Sequence, residues 1–84
     1  MSMDKVLERV LSWAFNANIR FDDLCQLLRS LNFEMRVCGG HHIFRKAGVE
    51  EKINLQREGS EAKPYEMRQV RTVILKYQLG GQEP

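Results

Sequence analysis

The chain has 84 residues, of which 43% are hydrophobic, and a formal net charge of +2. We expect a single domain over residues 1–84, because a chain this short buries roughly 60–65% of its unfolded surface and cannot enclose a deep active site. Residues 1–35 hold four basic and five acidic side chains, whereas residues 36–84 hold nine basic and six acidic ones. The second half is therefore basic, which permits an anionic partner.

The cysteine usage indicates a reducing environment. Cys25 and Cys38 lack Cys-x-x-Cys spacing, and no signal or targeting segment is visible. Free thiols in a cytoplasmic protein are the simplest interpretation. No apolar run approaches the roughly 18 residues that a membrane span needs, so we expect no membrane association.

Two helices are predicted in the first part of the chain. Apolar residues at helical spacing indicate a helix over about residues 3–14, and the Asn-containing segment that follows indicates a turn. A second helix is predicted over about residues 21–31, with Asp22 and Asp23 in its first turn, where acidic groups suit the helix dipole. Asn32 is expected to end this helix in a left-handed conformation.

Three strands are predicted over residues 33–37, 41–46 and 52–56. The first alternates apolar and polar residues, as a half-buried strand does, and the third repeats that pattern. The inward-facing residues of these two strands are predicted to be Phe33, Met35, Val37, Ile53 and Leu55. Gly39 and Gly40 are predicted to make the tight connection between the first two strands.

A last helix is predicted after the polar loop at residues 57–63. Pro64 suits its first position, where a missing N–H costs nothing. Its apolar face runs to about Tyr77, and Gly80 and Gly81 are expected to end it. The predicted fold is an α+β domain with the order α-β-β-β-α, a three-stranded antiparallel sheet and an additional N-terminal helix.

The adjacent His41 and His42 are the candidate catalytic residues. RNA cleavage needs the 2′-hydroxyl deprotonated and the leaving 5′-oxygen protonated, and a histidine side chain, with its usual pKa of about 6.5, performs either step without a metal. Neighbouring strand residues point to opposite faces. If Phe44 points inward, His41 lies with Arg45 on the open face; if Ile43 does, the roles reverse. We favour His41, with His42 as the alternative.

Phosphate binding is predicted from glycine and basic residues near this strand. The N–H groups of Gly39 and Gly40 could meet a phosphate, although two glycines between strands are more often only a hairpin turn. The side chains predicted to attract RNA phosphates are Arg45, Lys46, Arg68 and Arg71. For any one of them, ordinary solvated surface is the competing interpretation. Two histidines that face apart, without a cysteine at ligand spacing, predict no metal site, and we expect no cofactor.

Three segments, Leu27–Phe33, Gly39–Arg45 and Gln69–Lys76, together resemble the HicA family of HicAB toxin–antitoxin systems. The resemblance covers a core of about residues 21–79, and its most specific part is the middle segment, which resembles the family signature Gly-Ser-His-His-x-Phe. It implies a fold like that of a double-stranded-RNA-binding domain (dsRBD-like). It also implies ribosome-independent mRNA cleavage by one histidine, inhibited by a HicB-like antitoxin that covers the site. The family's catalytic histidine corresponds to His41, or in some members to His42.

The chain departs from the family pattern at several points. Asn32 stands where Gly is usual, Gly40 stands where Ser is usual, the third strand lacks the common Pro-x-His segment, and the N-terminal helix is longer. Two other functions therefore remain open: a non-catalytic RNA-binding module of the same fold, and a protein-interaction domain that uses its open sheet face.

Overall fold

The computed structural model describes residues 3–12 and 19–79. Its elements are α1 Met3–Leu11, α2 Phe21–Ser30, β1 Glu34–Cys38, β2 His41–Lys46, β3 Val49–Gln56 and α3 Pro64–Tyr77. The strands form one antiparallel sheet in the order β1-β2-β3. The predicted α+β architecture, with a helix preceding the helix–strand–strand–strand–helix order, is confirmed.

The first helix packs on the other two helices. Val6 and Val10 of α1 are buried, and α1 contacts both α2 and α3. The helix ends at Leu11, three residues before the predicted end; positions 13 and 14 lie outside the described residues. Its role in the fold is to close the core on the side away from the sheet.

The predicted left-handed residue after α2 is confirmed. Asn32 has a φ of 74° and follows the cap residue Leu31, and the Phe33 N–H donates to the Leu28 carbonyl at 3.1 Å. This bond satisfies a carbonyl that the helix end would otherwise leave without a donor. The reversal turns the chain directly into β1.

Alternation along β2 and β3 separates a buried face from an open one. Phe44 of β2 and Ile53 and Leu55 of β3 are fully buried against the helices. The alternating pattern predicted this burial for β3, and for β2 it was one of the two alternatives. We call their side of the sheet the inner face. A register irregularity lies between Phe44 and Lys46 where β2 meets β3.

The first strand departs from its predicted pattern. Phe33 is buried at 4% exposure, but Met35 and Val37 are 37% and 54% exposed. Met35 pairs with Phe44 and therefore shares its face, since directly opposite residues of a sheet point the same way. Because β1 is an edge strand, the helices that cover the centre of the inner face leave these two side chains uncovered.

The third strand begins earlier than predicted. Lys46 pairs with Val49, so the turn contains only Ala47 and Gly48, and Gly48 takes a φ of 87° that favours glycine. β3 therefore starts at Val49, three residues before the predicted start at Lys52.

The last helix is anchored by a buried carboxyl group. Glu66 of α3 is fully buried, and its Oε2 accepts from the Gln56 N–H at 2.9 Å while its Oε1 accepts from the Lys63 N–H at 3.0 Å. The first bond fixes the end of β3, and the second caps the start of the helix.

Pro64 is the first residue of α3, as predicted, and the helix ends at Tyr77. The left-handed cap is Gln78, with a φ of 53°, rather than a glycine; Gly80 and Gly81 lie outside the described residues. None of the described helices is long and apolar enough to cross a bilayer.

Candidate functional site

His41 is the first residue of β2 and lies exposed on the face of the sheet opposite the core, which we call the open face. It pairs with Cys38 of β1 on one side and with Gln56 of β3 on the other. The side chain therefore occupies the middle strand at one end of the sheet, where a ligand lying across the open face would meet it.

The Gly39–Gly40 turn that precedes His41 is a two-residue hairpin connection. Gly39 has a φ of 64°, the positive value expected at the first central position of a type II′ turn. A Cβ placed on either glycine would meet nothing within 4 Å. The turn thus fits the plain hairpin interpretation, and it also leaves its backbone open to an approaching phosphate.

Asn54 of β3 orients the His41 ring. The His41 Nδ1 lies 3.2 Å from the Asn54 Oδ1. An amide oxygen only accepts hydrogen bonds, so this contact places the imidazole proton on Nδ1 and leaves Nε2 as the basic nitrogen of the neutral ring. The sequence prediction missed Asn54, because the contact is a diagonal across two strands and appears only when their register is known.

His42 lies on the inner face, as the alternation predicts once Phe44 points inward. Its ring packs edge-to-face on Phe21, with centroids 5.0 Å apart and an interplanar angle of 76°. Its Nδ1 is buried without a hydrogen-bond partner among the described residues. His41 and His42 therefore cannot act on one phosphate, and only His41 reaches the open face.

The inner-face surroundings of His42 contain a small charged cluster. Arg57 pairs with Asp22, and its guanidinium lies 4.7 Å from the centroid of the Phe21 ring. Burial, and then the nearby Asp22, raises the pKa of the Cys25 thiol to about 11. This cluster holds the start of α2 against the end of β3, below the strand end that carries His41.

Arg45 shares the open face with His41 but not its immediate surroundings. It pairs with Glu34 near the far end of β2, four residues from His41. At about 3.3 Å per residue, the two Cα atoms are roughly 13 Å apart. The prediction that Arg45 shares the open face with His41 is confirmed, but the prediction that it lies beside His41 is wrong. Residues on one face of a strand are spaced along its length, so a shared face does not make two side chains neighbours.

The other predicted phosphate-binding residues lie away from His41. Lys46 is half-buried beside the β2–β3 turn. Arg68 and Arg71 belong to α3, which packs on the inner face, and the Arg71 Nε donates to the Leu11 carbonyl at 3.3 Å. Arg71 thereby holds α1 against α3. The structure does not bring these three residues together with His41.

One exposed cation that the prediction did not single out, Arg36, lies nearer the histidine than Arg45 does. Arg36 of β1 pairs with Ile43, which places it diagonally beside His41 on the open face. Lys52 of β3 is exposed on the same face by alternation, but it is four residues from Gln56, the partner of His41, and so lies about as far along the sheet as Arg45. Arg36 was not found from sequence because the hairpin register decides which residues of β1 flank β2.

Within the described ranges, no group of three or more His, Cys, Asp or Glu side chains is arranged to hold a metal ion. Comparisons of the chain with protein-family models, with curated proteins and with solved structures found no match.

Proposed function

We propose that the protein is a HicA-like toxin, a metal-independent endoribonuclease that cleaves mRNA with His41 as its single catalytic histidine. The observation that carries this proposal is the exposed His41 ring, held by Asn54 in the tautomer that leaves Nε2 basic. The ring follows an unobstructed Gly-Gly turn on a solvent-exposed sheet face. The resemblance of the segment Gly39–Arg45 to the HicA signature supports the same assignment.

The proposed reaction is an internal transesterification. His41 Nε2 takes the proton of the ribose 2′-hydroxyl, and the 2′-oxygen attacks the adjacent phosphorus while the bond from phosphorus to the 5′-oxygen breaks. Water protonates the leaving 5′-oxygen, and the histidine releases its proton to solvent. The products are a 2′,3′-cyclic phosphate and a 5′-hydroxyl end. One positioned base of this kind contributes about 10²–10⁴-fold.

The cations of the open face would hold the RNA along the sheet. Arg36 is the nearest to His41, and Arg45 and Lys52 lie further along the strands. A spread of this kind suits successive phosphates of one strand rather than a single phosphate. We therefore assign Arg45 to a neighbouring phosphate and the Gly39–Gly40 backbone to the cleaved one. Binding should be independent of sequence in its electrostatic part and should weaken with salt.

The proposed partner is a HicB-like antitoxin that covers the open face in the cytoplasm. Ile43 is a half-buried apolar side chain at the centre of that face, between the histidine and Arg45. Apolar residues ringed by charges are typical of protein contacts. Expression of the chain alone should arrest growth, and co-expression of an adjoining antitoxin-like reading frame should relieve the arrest.

The direct test is cleavage of single-stranded RNA by purified protein in the presence of a chelator. We expect cyclic-phosphate products from the wild type and a loss of about 10²–10⁴-fold in rate for His41→Ala. His42→Phe, on the inner face, is the matched control and should cut at nearly the wild-type rate. If His41→Ala cuts as fast as the wild type, the proposal is wrong.

Asn54 gives a second, independent test. Asn54→Leu removes the acceptor that orients the ring and should slow cleavage roughly tenfold to 100-fold with little change in RNA affinity, because misplacing a catalytic group lowers its effective concentration. Asn54→Asp keeps an acceptor at that position and should recover most of the rate. If both variants cut at the wild-type rate, the contact has no role in the reaction.

The cationic open face also supports a second candidate, an RNA-binding module without chemistry. It predicts salt-sensitive RNA binding and no cleavage products from the wild type. A chain that neither binds nor cuts RNA at low salt, but forms a tight complex with a partner protein, would instead be a protein-interaction domain.

A further inference from the structure

We propose that the edge strand β1 pairs with β1 of a second copy of this chain, which would make a symmetric dimer with a continuous six-stranded sheet. Strand β1 pairs only with β2, and its other edge has no strand partner within residues 3–12 and 19–79. An exposed edge offers unpaired N–H and C=O groups to another strand. This inference does not rest on the proposed RNA cleavage, although Arg36, the open-face cation nearest His41, also lies on β1.

The inner face of β1 carries apolar side chains that its own fold leaves uncovered. Met35 and Val37 are 37% and 54% exposed, whereas Phe44, the partner of Met35 on β2, and Ile53 and Leu55 on the inner face of β3 are fully buried. A strand added beyond β1 would place new apolar neighbours against these two side chains. The uncovered stripe and the unpaired edge belong to the same strand, so one partner strand satisfies both.

The charges of β1 select a second copy as the partner and also select the register. Consider the antiparallel pair in which the two Met35 residues lie opposite each other, with the two-fold axis between them. Glu34 then lies opposite the partner's Arg36, and Arg36 lies opposite the partner's Glu34. Both side chains are exposed, and neither forms an ion pair with any described residue of its own chain. Opposite charges directly across two strands stabilise the pairing.

The neighbouring registers lack this complementarity. A register that pairs the two Arg36 residues would place their side chains against each other, and like charges directly opposite are destabilising. The register that pairs the two Met35 residues instead places their side chains side by side, and it places Val37 opposite the partner's Phe33. Apolar residues then meet on the inner face while ion pairs form on the open face.

The symmetry of this pairing has a consequence for the open face. The two-fold axis of this antiparallel pair passes between the two Met35 residues and is perpendicular to the sheet, so the open faces of both copies become one surface. The two His41 side chains would lie on that surface, each one strand in from the interface. Glu34 would be neutralised by the partner's Arg36.

The experiment is a charge-exchange series followed by sedimentation equilibrium from micromolar to millimolar concentration. We expect the wild type to dimerise reversibly. Glu34→Lys and Arg36→Glu, each alone, place two like-charged pairs across the axis and should raise the dimer Kd at least about tenfold. Mixing the two variants restores both opposite-charge pairs and should give a heterodimer. Circular dichroism checks that each exposed substitution leaves the fold intact.

Cross-linking tests the register. In a Cys38→Ser background, Met35→Cys should form a disulfide-linked dimer on mild oxidation, because the residue lies opposite itself, whereas Arg36→Cys should not. The proposal is overturned if the wild type stays monomeric at millimolar concentration, which would leave the edge to a strand of another protein. It is also overturned if the mixed variants remain monomeric, or if Arg36→Cys cross-links in place of Met35→Cys.

Discussion

His41 and His42 are consecutive residues of one strand, yet they lie in opposite environments. His41 stands exposed on the open face with Asn54 as its hydrogen-bond partner, while His42 packs edge-to-face on Phe21 and its buried Nδ1 has no hydrogen-bond partner in the described part of the chain. The difference arises from strand geometry alone, since successive side chains point to opposite sides. It teaches that the two-histidine motif contains one residue exposed on the open face and one half-buried residue packed on the core residue Phe21. The two faces of the sheet should therefore respond differently to substitution.

The largest expected difference is between Phe44 and Ile43, which are neighbours on β2. Phe44→Ala removes a fully buried ring and should lower the free energy of unfolding by roughly 3–5 kcal/mol, enough to unfold much of so small a domain. Ile43→Ala, on the open face, should cost about 1 kcal/mol or less. Urea denaturation of both variants measures the contrast, and similar losses would mean that the open face is covered in solution.

Glu66 tests whether the strand beside the histidine depends on α3. Glu66→Ala removes the acceptor of two backbone N–H groups, those of Gln56 and Lys63, and should cost about 2–3 kcal/mol. Glu66→Gln keeps one carbonyl oxygen and should fall between the wild type and Glu66→Ala. The exposed Glu61→Ala is the control, with an expected change within about 0.5 kcal/mol. An unfolding free energy unchanged by Glu66→Ala would contradict the anchoring role.

The histidines themselves give a smaller effect of opposite sign. His42→Phe keeps the aromatic contact with Phe21 and removes the unpaired nitrogen, so it should raise the free energy of unfolding by about 1 kcal/mol. His41→Phe should change it by no more than about 0.5 kcal/mol. Thermal melts suffice, since 1 kcal/mol shifts the Tm of such a domain by roughly 4–8 °C. Destabilisation by His42→Phe would show that the Nδ1 has a partner in solution.

The smallest expected effect lies at the opposite end of the sheet, at Glu51 of β3. Hydrogen bonds from Lys76 at 2.6 Å and from the Tyr77 hydroxyl at 2.6 Å lower the pKa of Glu51 from 4.5 to about 2. Because this pKa is depressed by folding, the stabilisation is complete above pH 4.5 and is lost as the pH falls to about 2.

Glu51→Gln should therefore lower the Tm slightly at neutral pH and match the wild type near pH 2. Glu50→Gln, one residue earlier on the same strand, is the control. A Tm difference that persists unchanged in acid would rule out the carboxylate as its source.

The site was predictable where local rules govern it. The Gly39–Gly40 turn and the left-handed Asn32 follow from residue type and spacing, and the exposure of His41 follows from alternation once Phe44 is inward. The Asn54 contact was not predictable, because it depends on how β3 is registered against β2. The closeness of Arg45 to His41 was overestimated for a related reason. Alternation predicts the face on which a side chain lies, but it does not predict the distance between two residues of that face.

Arg71 and Met35 show the same limit on the packing side. Both sit in unambiguous patterns, a helix and an alternating strand, yet Arg71 bonds to the Leu11 carbonyl of a helix sixty residues away in sequence, and Met35 stays partly exposed. The contacts of Arg71 and the exposure of Met35 are decided by which element packs against each residue. Backbone periodicity carries no information about that placement.

The sequence by itself thus determined the order of helices and strands and the Gly39–Gly40 turn, because these depend on steric and hydrogen-bonding preferences within a few residues. Only the tertiary structure decided that Phe44 points inward and that Asn54 holds the His41 ring. It also decided that, among the described residues, Arg36 rather than Arg45 is the open-face cation nearest His41 and the outer edge of β1 has no strand partner. Those features depend on contacts between elements far apart in the chain, whose register is set by the core as a whole.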